Sequence, residues 1–75
     1  MIKVICGTNV KRETRIVSEE ATPRQVLEEV GIDYSRGMTT MDGAPMSPGD
    51  LDKSFAQHGI TEKTYLLNVV KVDNA

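Results

Sequence analysis

The sequence predicts an α+β fold in which one helix packs on one face of a mixed sheet of four to five strands. Two observations lead to this prediction. Hydrophobic residues make up 39% of the 75-residue chain and charged residues 27%, which is typical of a single globular domain. The predicted elements run strand, strand, helix, strand, short strand, irregular crossing, strand. A hairpin followed by a helix that returns the chain to the same sheet leaves one sheet face under that helix.

The first hairpin is predicted from alternation. The stretch "MIKVICG" places every second side chain on one face, and the inward set comprises Ile2, Val4 and Cys6. Residues 7–9, "GTN", have turn chemistry. The following stretch "VKRETRIVS" predicts the second strand, with Thr14 and Ile16 on one face and Arg15 and Val17 on the other.

The helix has clear start and stop signals. Thr22 is the predicted N-cap, and Pro23 suits the first helical position because its missing N–H costs nothing there. Gly31 is the predicted C-terminal cap residue, and Ile32 supplies the apolar contact that often follows one. The stripe that faces the core comprises Val26, Leu27 and Val30.

The second half of the chain predicts two short strands and an irregular crossing. Residues 38–41 form a weak strand that ends in an Asp-Gly turn, and residues 44–46 form a short return strand. Residues 41–60, "MDGAPMSPGDLDKSFAQHGI", have no sustained period. Within them, "LDKSFAQHGI", residues 51–60, is the segment that can hold a single helical or 3₁₀ turn. Three apolar side chains anchor this crossing to the core: Leu51, Phe55 and Ile60.

The last strand, "TYLLNVVKV", is apolar on both faces and is expected in the middle of the sheet. We expect Leu66 and Val70 to point inward, which also buries Asn68 and requires a hydrogen-bond partner for it. The predicted domain spans residues 1–72, and residues 73–75 form a frayed tail.

Three stretches resemble the ubiquitin-like β-grasp family over nearly the whole chain. The start "MIKVICGTNVKRETRIV" is similar to the opening hairpin of that family, and "ATPRQVLEEVGI" to its helix. In the third stretch, Asp42-Gly43 resembles the end of the third strand, "SFAQHGI" the short turn, and "TYLLNVVK" the last strand. The resemblance implies a ubiquitin-like β-grasp fold with an ordered crossing before the last strand.

The resemblance has one departure that concerns function. Ubiquitin and the related sulfur carriers act through a C-terminal Gly-Gly, whereas this sequence ends "VVKVDNA" and contains no adjacent glycines. We therefore expect a protein that is not conjugated to targets. In this respect it resembles the non-conjugating ubiquitin-like proteins of Gram-positive bacteria, including those beside type VII secretion systems.

No enzyme signature is found, so we expect no catalytic activity, no cofactor and no metal. Cys6 has the inward phase of its strand and is expected to be a buried apolar residue. His58 lies in the predicted short turn, where packing or capping is the expected role. It is the only histidine, so a metal site would need carboxylates to complete it.

Composition and charge also limit the partners. The net charge of −2 and the scarcity of aromatic residues argue against a nucleic-acid partner, despite the basic cluster "KRETR". No apolar run approaches the roughly 20 residues that span a bilayer, and no signal peptide is evident. We expect a cytoplasmic monomer that binds neither nucleic acid nor membrane.

The expected binding site is the sheet face away from the helix. The residues predicted to form it are Lys3, Ile5, Met38, Thr40, Leu67, Val69 and Lys71, with Arg15 at the rim. An apolar patch with a basic rim predicts protein docking, as an adaptor or as a small subunit of a larger assembly.

Three other interpretations remain open. The exposed apolar residues can be the scattered ones that every surface carries. The chain can be a modifier, or a sulfur-carrier-like protein, whose C-terminal carboxylate is activated without Gly-Gly. It can also be a structural domain without a partner.

Overall fold

A computed structural model of the chain describes residues 1–8 and 10–69. Its elements are β1 (Ile2–Thr8), β2 (Arg12–Val17), α1 (Pro23–Glu29), β3 (Met38–Met41), β4 (Ala44–Pro45), a 3₁₀ helix (Pro48–Asp52) and β5 (Lys63–Val69). One five-stranded sheet has the order β2-β1-β5-β3-β4. β1 and β5 are parallel, and the other neighbours are antiparallel. The predicted α+β class, the mixed sheet and the central position of the last strand are confirmed, and the arrangement is compatible with a β-grasp.

The helix begins and ends at the predicted residues. The Thr22 side chain accepts a hydrogen bond from the Gln25 N–H, and the Gln25 side chain accepts one from the Thr22 N–H. At the other end Gly31 has a φ of 76°, in the left-handed region that favours glycine. The N–H of Ile32 donates to the Leu27 carbonyl and closes the helix end. The helix has seven residues, about two turns, and hydrogen bonds cap both of its ends.

The core lies between the helix and one face of the sheet. It contains the predicted inward set of β1, the helix stripe and the anchors of the crossing. Its buried apolar members are Ile2, Val4, Cys6, Val26, Leu27, Met41, Leu51, Phe55 and Leu66. Ile60 is half-buried against this cluster, as are Val30 and Ile32.

The crossing from β4 to β5 differs from its prediction in one respect. The 3₁₀ helix occupies Pro48–Asp52 and so begins before the segment expected to hold it. Asp50 explains this start, because its carboxylate accepts hydrogen bonds from the Ser47 N–H and the Ser47 hydroxyl, both at 3.0 Å. Those bonds lower the pKa of Asp50, the backbone N–H contributing most.

A polar network fastens the crossing to the helix. Arg24 forms a two-point ion pair with Asp52, with N–O distances of 2.6 and 3.0 Å. Its guanidinium also donates to the Tyr34 hydroxyl, which donates in turn to Glu28 at 2.7 Å. Hydrogen bonding to Asp52 raises the pKa of Arg24, and the same contact lowers the pKa of Asp52.

Asn68 has the inward phase and finds a partner, as expected. It is 1% exposed, and its amide N–H groups donate to the Arg36 carbonyl at 3.0 Å and the Thr39 hydroxyl at 3.1 Å. Its carbonyl oxygen has no partner among the described residues. The predicted phase of the last strand is therefore confirmed at Leu66 and Asn68. Val70 and the predicted tail at residues 73–75 lie outside the described residues.

Among residues 1–8 and 10–69, no helix is long and apolar enough to cross a membrane.

Candidate functional site: the open face of the sheet

The strand registers define the open face of the sheet, the face away from the helix. Residues paired in register share a face, so the outward position of Ile5 carries through Thr14 on one side and Tyr65 on the other. The same argument applied to every pair gives the full set. The open face comprises Lys3, Ile5, Gly7, Arg12, Thr14, Ile16, Met38, Thr40, Pro45, Lys63, Tyr65, Leu67 and Val69.

An apolar patch occupies the middle of the open face. Met38 is 55% exposed, Val69 41% and Tyr65 40%. Tyr65 is the register partner of the half-buried Ile5, and Tyr65 and Val69 are the neighbours of the half-buried Leu67 on the same face of β5. Val69 and Met38 are register partners across β5 and β3. No described helix or loop covers this face, because α1 packs on the opposite one. Because Tyr65 pairs with β1 and Val69 with β3, and Leu67 lies between them on β5, the patch is continuous across the three central strands.

The charges on the open face are of one sign. Its basic residues are Lys3, Lys63 and Arg12, and the Lys63 ammonium lies 5.3 Å from the centre of the Tyr65 ring. The described parts of the five strands contain one acidic residue, Glu13, which pairs with Cys6 and so has the helix-side phase. A chain with a net charge of −2 thus presents a basic, apolar surface on one side.

Asp42 fixes the edge of this patch. It occupies the β3–β4 turn with a φ of 52°, and Gly43 follows with a φ of 86°. These angles fit the tight turn that Asp-Gly predicts. The Asp42 carboxylate accepts hydrogen bonds from the buried Thr64 hydroxyl and from the Tyr65 N–H, both at 2.9 Å. The turn is thereby bonded to β5 at Thr64 and Tyr65.

The structure brings most of the predicted site residues together. Lys3, Ile5, Met38, Thr40, Leu67 and Val69 all lie on the open face. Lys71 lies outside the described residues. The rim position expected for Arg15 is wrong, because Arg15 pairs with Val4 and has the helix-side phase. It forms an ion pair with Glu13 at 3.1 Å instead.

Sequence reasoning missed seven members of this surface: Gly7, Arg12, Thr14, Ile16, Pro45, Lys63 and Tyr65. The alternation within β2 and β5 already separated their two phases. What it lacked was the register between strands, which decides which phase of β2 shares a face with Ile5.

The residues considered for catalysis are not brought together. Cys6 is fully buried, and burial, with the nearby Glu13 carboxylate as a smaller cause, raises the pKa of its thiol. It lines a cavity of about 300 Å³ between the first hairpin and the end of the helix. His58 lines a different cavity of about 270 Å³, and its Nε2 donates to the Asp50 carbonyl at 2.8 Å. Both residues thus have the packing and capping contacts expected of them.

Among the residues that the structure describes, no group of three or more His, Cys, Asp or Glu side chains could hold a metal ion.

Neither a scan against protein-family models nor a search of curated proteins finds a match to this chain.

Proposed function

We propose that this protein is a ubiquitin-like β-grasp module that binds another protein non-covalently through the open face of its sheet. The observation that carries the proposal is the continuous apolar patch of Ile5, Met38, Tyr65, Leu67 and Val69 on an uncovered face. Exposed apolar groups that lie together, unlike scattered ones, are typical of protein interaction sites.

The basic residues around the patch indicate the chemistry of the partner. Lys3, Lys63 and Arg12 lie on the open face, and no acidic residue of the described strands shares that face with them. A partner surface that is apolar at its centre and acidic at its margin would complement this arrangement. Charge of this kind acts mainly on the rate of association and on the choice of partner.

The test is affinity capture with two double variants. An N-terminal tag recovers the wild-type protein from the cells that produce it, under gentle and under denaturing washes. Leu67→Lys with Val69→Lys places two charges in the patch, and we expect it to lose the captured partner. Ala56→Lys with Thr61→Lys is the matched control, because it adds the same charge at exposed positions of the crossing.

The outcomes separate the competing functions. Partners that are lost on denaturation and with the patch variant, but kept with the control, support the proposal. Partner retention by a folded patch variant contradicts it. Species that survive denaturation with added mass at the C-terminus would identify a covalent modifier, the alternative function predicted from the sequence.

A further inference from the structure

The outer edge of β2 is the longer of the two free edges of the sheet. β2 has six residues and lies first in the strand order, whereas the opposite edge, β4, has two residues that include Pro45. Five of the six β2 residues are exposed, and no described residue pairs with the outer side of the strand. A free edge of this length presents unpaired backbone groups to solvent.

Two backbone hydrogen bonds establish which β2 groups point outward. The Lys3 N–H donates to the Glu62 carbonyl, so odd-numbered residues of β1 face β5. The Thr8 N–H donates to the Lys11 carbonyl, so even-numbered residues of β1 face β2. Because hydrogen-bonded and non-hydrogen-bonded pairs alternate in an antiparallel ladder, odd-numbered residues of β2 are bonded to β1. The outward N–H and C=O groups belong to Arg12, Thr14 and Ile16.

The charges of β2 select one way of pairing this edge with a second copy. When a two-fold axis relates two copies, their β2 strands run antiparallel, and one central residue of β2 faces the same residue of the other copy. Centring on Glu13 places glutamates opposite each other, and centring on Arg15 places arginines opposite each other. Centring on Thr14 places Glu13 of each copy opposite Arg15 of the other. Moving the centre to either end leaves half of the strand unpaired.

The same register provides hydrogen-bond partners for the outward-facing backbone groups of β2. With Thr14 at the centre, its N–H and C=O meet those of Thr14 in the second copy, and Arg12 meets Ile16 on either side. These are the outward-facing groups. The pairs formed by Glu13 and Arg15 then occupy non-hydrogen-bonded positions, where facing side chains are closest. In this register Ile16, which is 58% exposed in the single chain, would lie against the aliphatic part of Arg12 from the other copy.

We propose that two copies of this chain pair through β2 in the register centred on Thr14, which joins their sheets into one. The open faces of the two copies then lie on the same side of the joined sheet. The pairing differs from the monomer expected from the sequence. It does not rest on the proposed function, because it uses the edge of the sheet and not the patch.

The test is sedimentation equilibrium of charge variants over protein concentrations from about 10 µM to about 1 mM, a range suited to weak association. We expect the wild-type protein to form dimers with rising concentration. Arg15→Glu alone and Glu13→Arg alone each place like charges opposite each other and should weaken dimerisation roughly tenfold or more. The double exchange, Glu13→Arg with Arg15→Glu, restores opposite charges and should restore the dimer.

Mixing the two single variants gives the sharpest result. One variant then carries two arginines and the other two glutamates at positions 13 and 15, so the mixture should form heterodimers more readily than either variant alone forms homodimers. Arg36→Glu is the matched control for Arg15→Glu, because it makes the same charge change at an exposed position outside the sheet.

Three outcomes would overturn the pairing. The first is a wild-type protein that stays monomeric up to the highest concentration. The second is a pair of single variants that dimerise as the wild type does. The third is a double exchange that remains monomeric. Leu67→Lys with Val69→Lys should leave dimerisation unchanged, so failure of the pairing and failure of the patch are distinguishable.

Discussion

The two faces of the sheet are built from the same strands, yet they differ in what covers them. In β5 the side chains alternate between Leu66, which is fully buried under the helix, and Leu67, which is half-buried on the open face. Both faces carry apolar residues, but on only one of them do the helix and the crossing exclude water. The comparison teaches that apolar character in a strand does not by itself indicate the core. Two predictions test this difference, and a third tests a polar contact that holds the helix to the crossing on the covered face; they run from the largest expected effect to the smallest.

Removing Phe55 should have the largest effect. Phe55 is 0% exposed and joins the crossing to the core, while its N–H donates to the Ala21 carbonyl. Phe55→Ala should lower the free energy of unfolding by about 3–5 kcal/mol, because it leaves a cavity in a packed core. Urea denaturation measures the change. Tyr65→Ala on the open face is the control, and a loss as large as that of Phe55→Ala would contradict the distinction between the faces.

Adjacent leucines provide the closest test of the two faces. Leu66→Ala should lower the free energy of unfolding by about 2–5 kcal/mol, as is typical of a buried leucine. Leu67→Ala should cost clearly less, since its side chain already contacts solvent. Chemical denaturation of both variants under one condition gives the comparison. Equal losses would mean that the open face is covered in solution.

Acid should weaken the polar contact between helix and crossing. Arg24 lowers the pKa of Asp52 in the folded protein below its unfolded value of about 3.9. A depressed folded pKa gives stability that is present above the unfolded pKa and lost as pH falls through the folded pKa. Asp52→Asn should therefore reduce stability at neutral pH and flatten its decline below about pH 4.

Melting temperature as a function of pH measures this effect. We expect it to be the smallest of the three, because the Asp52 side chain is 64% exposed and solvent screens the ion pair. Glu19→Gln is a suitable control, since its exposed side chain has no ion pair among the described residues. An identical acid decline in wild type and Asp52→Asn would exclude a role for this carboxylate.

Local chemistry accounts for the elements that were predicted well. The helix required only the capping signals at Thr22 and Gly31, which act within a few residues of each end. The strand at Met38–Met41 was bounded by the Asp-Gly turn that follows it. The 3₁₀ helix was placed too late because the carboxylate of Asp50 starts it at Pro48. That start depends on a side-chain contact with Ser47 and not on a hydrophobic period.

The candidate site was predicted only in part, because alternation is a local pattern that assigns the two faces of one strand at a time. Alternation separated Leu67 and Val69 from Leu66, and the predicted members on β1 and β3 lie on the same face, although Lys63 and Tyr65 of β5 were missed. Arg15 was assigned to the wrong face because alternation within a strand does not reveal its register with a neighbour. The hydrogen bond between Asp42 and Tyr65 was not foreseen, because these residues are 23 positions apart and meet only in the sheet.

The sequence alone determined the element types, the capped helix and the inward phase of β1 and β5, since each depends on neighbours within a few residues. Tertiary structure decided which strands are adjacent, which phase of β2 joins the open face and how Arg24 and Asp42 hold the crossing and the turn. Those properties depend on contacts between residues far apart in the chain, where pairing geometry and hydrogen bonding, and not local propensity, select the partner.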